Sequence, residues 1–344
     1  MGQIYHDKSK SIPMHRVAVV RPFAAFLADI GAPVEREMRR VGLPYSALEN
    51  ADNFVPSQRF WSFLVDMSHR EGIVDLGFRV GQRFGANSAD PHLIDLLRQA
   101  LTLYQGLTKA AELVNRTVAH CHMGIHRLPG RSYSLFYHKP SCEATHPAAD
   151  QIGWFGMTAL ISMVRAFAGP TWEPAEIGTM TDHRPTNYIR EQLPVTRIKP
   201  HQSYYYISVE NHLLSLPPLS DETSSQALST PGYEILPTDF VGTFEFMLLA
   251  YALERNQSIE FTASLCNMSK RTLQRKLSES GTSYSDMLAQ ARFRAACQML
   301  QTPGSKVADI AQRLGYSDAA HFARAFRRVA GVAPRAYRRL HLSD

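Results

Sequence analysis

The sequence predicts an α+β N-terminal domain followed by an all-α domain that carries two helix-turn-helix units. Three observations point there. Apolar residues recur at spacings of three and four up to about residue 115, then alternate, then return to helical spacing. A short pattern at Ala263 returns at Ala311, 48 positions later. The net charge of +6 is also unevenly placed: Thr238 to the end holds 15 Lys+Arg against 9 Asp+Glu, and the preceding residues hold 22 of each. The whole excess belongs to the last third, as a polyanion partner requires.

Residues 1–16 are polar and are expected to be loose. The text from Val17 to about Phe84 is helical, in the pieces FAAFLADIG, VEREMRRVGL and SQRFWSFLVDMSHREG. Gly31, Gly42 and Gly72 fall where these helices should stop, and Pro33 suits the first turn of the second. Two more helices are expected over Pro91–Tyr104 and Leu107–Asn115. Val118–Arg127 and Tyr133–Lys139 read as a hairpin around Leu128-Pro129-Gly130-Arg131. Pro147 opens an apolar helix to about Ala168, and Ala175–Met180 and Tyr204–Val209 read as further strands. This gives a domain over 17–217, then a Ser/Thr/Pro-rich linker over 218–237. Thr238 or Asp239 caps a helix over Phe240–Arg255 and opens the last domain, 238–344.

That last domain is read from its repeat. Ala263 to Ser269 aligns with Ala311 to Ser317, and each copy is followed by an apolar–x–Arg–x–apolar helix. The helices carry Leu273, Arg275 and Leu277 in one copy and Phe322, Arg324 and Phe326 in the other. Ser285–Gln301 connects them. Gly315 supplies the left-handed stop of the second unit, and Asn267 stands in for it in the first. Cys266 replaces Leu314 and is expected to be buried as a small hydrophobe. Ser317 is expected to cap the last recognition helix.

Helical geometry turns Leu273 and Leu277 inward and leaves Lys270, Arg271, Gln274 and Arg275 on or beside the outer face. In the second unit the outer positions are Ala319, Ala320, Ala323 and Arg324, while His321, Arg327 and Arg328 lie off the Phe322/Phe326 stripe. A cationic second helix of this kind suits the DNA major groove.

Competing chemistries are weaker. Cys121, Cys142, Cys266 and Cys297 stand apart, without the CxxC spacing of a zinc or redox site. His120, His122 and His126 share one strand face, which reads as a polar face rather than a metal site. Neither nucleotide loop, nucleophile elbow nor HExxH motif occurs. The apolar run 152–168 contains Arg165 and is too short to span a bilayer. The N-terminus has no apolar signal core, and His6 occupies the position where N-myristoylation needs Ser or Thr.

The segment 310–338 resembles the signature of AraC/XylS-type transcriptional regulators. The match is carried by Ile310, Ala311, Gly315, Tyr316, Phe322, Arg324, Phe326, Arg327, Arg328, Gly331, Pro334, Tyr337 and Arg338. Ala333 departs from it, where Ser or Thr is usual. The stretch VEREMRRVGLPYSALEN, with the following FVP and LGFRVGQRF, is similar to the arabinose-binding-like N-terminal domain of one subclass. The resemblance implies a non-enzymatic, cofactor-free bacterial regulator of the cytoplasm, associated with the nucleoid when bound, without a membrane partner. Its implied partners are double-stranded promoter DNA, RNA polymerase, a small-molecule effector and a second copy of the chain. Activation is the commoner mode in the family. A DNA-repair methyltransferase bearing the same C-terminal domain would need clustered cysteines, which are absent. An N-terminal domain that only oligomerises is the alternative.

The resemblance places Arg271, Gln274 and Arg275 nearest the bases. The alanine-rich second helix would add Arg324, with phosphate contacts from His321, Arg327 and Arg328, and in the first unit Lys270 and Lys276 are read as holding phosphate. The first helix is therefore expected to do most of the discriminating. For an effector, the candidates are Trp154, Tyr204 and Tyr206, although Trp154 lies on an apolar helix that also suits a core.

Overall fold

The computed structural model describes residues 11–85, 91–117, 121–140, 142–219, 236–254, 257–302 and 304–341. The first element of the described residues is a short strand, β1 (Met14–Arg16), which pairs antiparallel with β2 (Phe54–Pro56). Around this ribbon lie α1 (Val17–Asp29), α2 (Val34–Val41), α3 (Ser57–Arg70) and α4 (Leu76–Phe84). Then come α5 (Pro91–Arg98) and α6 (Leu103–Thr117). The expected helix over Pro91–Tyr104 stops earlier, because residues 99–102 leave the helical path.

A five-stranded sheet follows, built from β3 (His122–Arg127), β4 (Tyr133–Lys139), β5 (Glu176–Gly178), β6 (Arg197–Lys199) and β7 (Tyr205–Glu210). Its order is β3-β4-β7-β5-β6, with only the β5–β6 pair parallel. Between strands run α7 (Ala149–Ala168) and α8 (Asn187–Gln192). The predicted hairpin is β3–β4. Its expected start at Val118 lies outside the described residues, as does His120.

The last part is all helical: α9 (Phe240–Ala250), α10 (Ile259–Leu265), α11 (Lys270–Glu279), α12 (Tyr284–Gln301), α13 (Val307–Arg313), α14 (Ala319–Ala330) and α15 (Pro334–His341). Asp239 caps α9, accepting from the Gly242 N–H. The helix ends at Ala250 rather than at the expected Arg255, which lies outside the described residues. Most of the expected linker does too.

The expectation of a loose segment over 1–16 fails for its last residues. Ile12, Met14, His15 and Arg16 are buried, and the Ile12 N–H donates to Thr243 Oγ1 of α9 at 3.1 Å. The polarity of the first residues hid the strand, because β1 is only three residues long and its partner lies some forty positions away.

Among the described residues, three apolar clusters make the core. One lies between the sheet and α5–α7, around Phe78, Phe136, Trp154, Tyr205 and Ile207. One holds α13, α14 and the C-terminal half of α12 together through Leu300, Ile310, Leu314, Phe322 and Phe326. The third joins distant parts of the chain: Phe23, Val41, Phe54, Phe60 and Phe155 pack in one body with Phe246, Leu265, Leu273 and Leu277. The N-terminal helices and the first helix-turn-helix unit thus share a core, with Phe54 edge-on to Phe246 at 5.4 Å.

The helices α4 and α7 cross closely at glycine. A Cβ at Gly77 would sit 1.9 Å from the Gln151 carbonyl oxygen, and one at Gly81 would sit 1.7 Å from Thr158 Oγ1. The approach lets the Gly77 N–H donate to Gln151 Oε1 at 2.8 Å, while Gln151 Nε2 donates to the Val74 carbonyl at 2.9 Å.

Two histidines are buried, His15 on β1 and His138 on β4. His15 Nδ1 lies 2.7 Å from Ser57 Oγ. Burial, with the charge of His138 in second place, pushes its pKa from 6.5 down to about 4. Burial alone does the same to His138. Both are neutral in the fold at pH 7, whereas the unfolded chain takes up protons near 6.5. The unfolded state therefore binds more protons between the two values, and stability falls as pH drops from about 6.5 toward about 4. Urea titrations should give a lower midpoint at pH 5 than at pH 7. Equal midpoints would show that the imidazoles are not held neutral.

Candidate nucleic-acid interface

Each helix-turn-helix unit is set by its turn. In the first, Asn267 adopts φ +52° and the Met268 N–H returns to the Ala263 carbonyl at 2.9 Å, closing α10. Ser269 then caps α11, its hydroxyl accepting from the Thr272 N–H at 3.1 Å. In the second unit Gly315 takes φ +76° and the Tyr316 N–H returns to the Ala311 carbonyl at 3.0 Å. The cap of α14 is Asp318 rather than the expected Ser317. Its carboxylate accepts from the His321 N–H at 2.6 Å, and that bond holds its pKa below the usual carboxylate range. Ser317 instead contacts Asp318 and the His321 ring. A carboxylate at a helix N-terminus gains from the dipole as well as from the hydrogen bond, so it outcompetes the hydroxyl. Cys266 is half-buried, with its thiol 3.6 Å from Met247 Sδ.

The outer face of α11 is polar and open. Leu273 and Leu277 are fully buried, while Arg271, Gln274 and Arg275 are exposed. Arg275 shares a surface ion pair with Glu279 at 2.9 Å, and Lys270 one with Glu260 at 2.8 Å. Such exposed pairs contribute little and exchange readily for another anion. Lys276 is placed differently. It flanks the buried stripe, with its ammonium 4.9 Å from the Phe240 ring centroid.

On α14, Phe322 and Phe326 are buried. Ala320, His321, Arg324, Arg327 and Arg328 are exposed, and Ala319 and Ala323 are half-buried. Arg338 of the signature faces inward: its Nε donates to the Leu300 carbonyl at 3.0 Å and its Nη2 to Ser305 Oγ at 2.9 Å. It fastens α15 to the end of α12. A further network, absent from the sequence reading, ties α9, α10 and α12 together. Arg292 donates twice to Gln257 Oε1, at 3.0 and 2.6 Å, and Gln257 Nε2 donates to the carbonyls of Tyr251 and Ala252.

The effector candidates do not come together. Trp154 lies in the core under the sheet, edge-on to Phe78 at 5.6 Å. Tyr204 and Tyr206 lie on the opposite sheet face, near Tyr137, with the Tyr206 hydroxyl donating to Glu176 Oε1 at 2.8 Å. Tyr205, one position on, points to α7 and donates to the Ala149 carbonyl at 3.1 Å. Strand alternation separates the two sets, so no one pocket holds Trp154 with both tyrosines. His122 and His126 are exposed on β3, on the tyrosine face. Among the described residues, no three His, Cys, Asp or Glu side chains are placed to hold a metal ion. No helix of the described residues is long and apolar enough to cross a membrane.

Comparison with known proteins gives two family matches. Residues 262–340 match a helix-turn-helix domain, and residues 31–188 match the N-terminal arabinose-binding domain of AraC transcription regulators. An uncharacterised HTH-type transcriptional regulator of Mycobacterium tuberculosis is 42% identical over 73 residues, which is 21% of this chain and 21% of that protein. The chain therefore spans about a fifth of the length of that relative. The HTH-type transcriptional regulator VirS of the same organism is 24% identical over 327 residues, covering 92% of this chain and 94% of VirS. The crystal structure of the transcriptional regulator CdpR from Pseudomonas aeruginosa aligns over 94% of this chain and 98% of its own, at 16% identity and a TM-score of 0.41.

Proposed function

We propose, from the chain's membership of the AraC-type regulators with an arabinose-binding-like N-terminal domain, that it is a sequence-specific DNA-binding transcription regulator. In this reading residues 238–344 bind promoter DNA with α11 and α14 in successive major grooves, roughly 34 Å apart on one face of the duplex. The observation that carries it is the pairing of two capped helix-turn-helix units with an open cationic face on each recognition helix.

The two helices are assigned unequal work. Arg271, Gln274 and Arg275 of α11 have donors that fit base edges, while α14 offers Arg324 among alanines. Lys270, His321, Arg327 and Arg328 hold phosphate. Lys276, over Phe240, does so less directly. Gln274→Ala should cost about 1–3 kcal/mol of discrimination at one base pair. Arg328→Ala should weaken binding evenly across sequences and flatten the salt dependence. Anisotropy titrations on single-base operator variants separate these outcomes.

The deciding experiment starts from a random duplex pool. The full chain should enrich one bipartite sequence, and randomising the half under α11 should cost more affinity than randomising the half under α14. Equal sensitivity of the halves would overturn the unequal division. Residues 17–217 are assigned to effector sensing and dimerisation, with 218–237 as the joint to the DNA-binding part. The relatives VirS and NphR are named an HTH-type transcriptional regulator and a transcriptional activator, which supports promoter control and activation. Contact with RNA polymerase, in the cytoplasm at the nucleoid, belongs to the same proposal. Of the effector candidates, Tyr204 alone is half-buried, while Tyr206 and Trp154 are both buried, so the effector is assigned to the tyrosine face at Tyr204. A thermal-shift screen of the full chain against small metabolites tests it, and Tyr204→Ala should abolish any shift found.

A further inference from the structure

We infer that the corner between α2 and α3 sets the angle between the two recognition helices, and hence the spacing of DNA half-sites that the chain accepts. This rests on the DNA-reading function proposed above. The corner lies outside the DNA-binding part of the chain, yet it touches both of its units. The Gly42 carbonyl accepts from the Tyr251 hydroxyl, just after α9, at 2.7 Å. The Ser46 hydroxyl donates to Glu254 Oε1 at 3.0 Å. At the first unit, Arg59 Nη2 donates to the Ser264 carbonyl at the end of α10, at 2.5 Å, and Asn267 Nδ2 donates to Gln58 Oε1. At the second, Glu49 pairs with Arg313, the last residue of α13, at 2.6 Å.

The corner is itself stiff. Gly42 has φ +82°, and a Cβ there would come within 3.3 Å of Leu265 Cδ2 of α10. Leu43 and Ala47 are buried. Arg21 Nε donates to the Leu48 carbonyl at 2.7 Å. The buried Glu37 carboxylate, facing Arg40 of its own helix and Arg70 of α3, ties α2 to α3.

These contacts fall where orientation is decided. Ser264 closes α10 and Asn267 sits in the turn that aims α11, and Arg313 precedes the turn that aims α14. Among the elements of the C-terminal part, α12 connects the two units and packs against both. The corner is a second strut in parallel with α12. The exposed Glu49–Arg313 pair is the weak end of that strut, and Tyr251, Gly42 and Arg59 are the strong end. One base pair moves a half-site by roughly 3.4 Å along the duplex and roughly 35° around it. A doubly braced reader meets one register. A reader held by α12 alone can tilt to meet its neighbours. Arg59 and Tyr251 are thus positioning residues, and neither needs to touch DNA.

The test uses the full chain and the bipartite sequence enriched from a random duplex pool, with one base pair inserted or deleted between its halves. Affinities are read by fluorescence anisotropy for the wild type, Tyr251→Phe, Arg59→Ala and the double variant, after circular dichroism has shown each to be folded. The wild type should lose about tenfold or more on either spacing change, of the order of one lost base contact. The double variant should lose about threefold or less, and Tyr251→Phe, which removes only a hydroxyl, should fall between. A wild-type spacing profile in the variants would overturn the inference. So would an equal loss at every spacing, which marks a merely structural role. Failure to enrich any sequence would be a different result: it would remove the DNA-reading function itself and this inference with it.

Discussion

Gly77→Ala should destabilise the chain by about 3 kcal/mol, although alanine is the better helix former. In an open helix the exchange would stabilise by roughly 1 kcal/mol. Here the new methyl would lie 1.9 Å from the Gln151 carbonyl oxygen and 2.6 Å from its carbonyl carbon. These are backbone atoms of α7, so no side-chain rotation relieves the clash. The helices must separate, which costs about 1–3 kcal/mol for overpacking. The separation also breaks the Gly77 N–H bond to Gln151 Oε1, and a buried amide without a partner costs about 1–3 kcal/mol more. Since Gln151 also donates to the Val74 carbonyl, the entry into α4 should loosen too. Urea titration at pH 7 reads the loss. An unchanged or raised midpoint would show that α4 and α7 have room for a methyl group at Gly77.

The second large effect is local. Phe322 is 1% exposed and stacks at an angle on Tyr316 and Phe326, with ring centroids 5.4 and 5.7 Å away. Truncation to alanine should cost about 3–5 kcal/mol. The cluster it belongs to is small and distinct from the one that holds the first unit to the N-terminal helices. That loss therefore falls on α13–α15 and the end of α12, and the second unit should melt before the rest. Two transitions should appear in a thermal scan where the wild type shows one. Limited proteolysis should cut near Arg324 and Arg327 while the first unit survives. A single cooperative transition, merely shifted down, would mean that the clusters unfold as one.

What the sequence made legible was local. The turns at Asn267 and Gly315, the buried Leu273/Leu277 and Phe322/Phe326 stripes, and the β3–β4 hairpin each depend on residues within a few positions of one another. The open faces of α11 and α14 follow from the same periodicity, which puts Arg271, Gln274, Arg275 and Arg324 on them, while the assignment of Arg271, Gln274 and Arg275 to bases came from the family resemblance. What stayed hidden depends on residues far apart in the chain. Neither polarity nor period marks β1, because its reason for existing is β2. The packing of Gly77 and Gly81 on α7 reads, in sequence, as two glycines inside a helix. Trp154 and the tyrosines could be told apart only once the sheet had two identified faces. The exchange of Ser317 for Asp318 as the cap of α14 was a matter of one position, where two good caps stood side by side.

The core shared by the N-terminal helices and the first helix-turn-helix unit bears on how this protein can be divided. Cutting between residues 219 and 236 would follow composition, but it would bare Phe54 and Val41 on one fragment and Phe246 and Leu265 on the other. Both pieces would carry a fresh greasy face into solution, and poor yield of either alone would reflect that exposure rather than a wrong boundary. For the same reason, grafting this reading head onto a foreign sensor requires carrying residues 11–84 along with it, or repainting the exposed face with polar side chains.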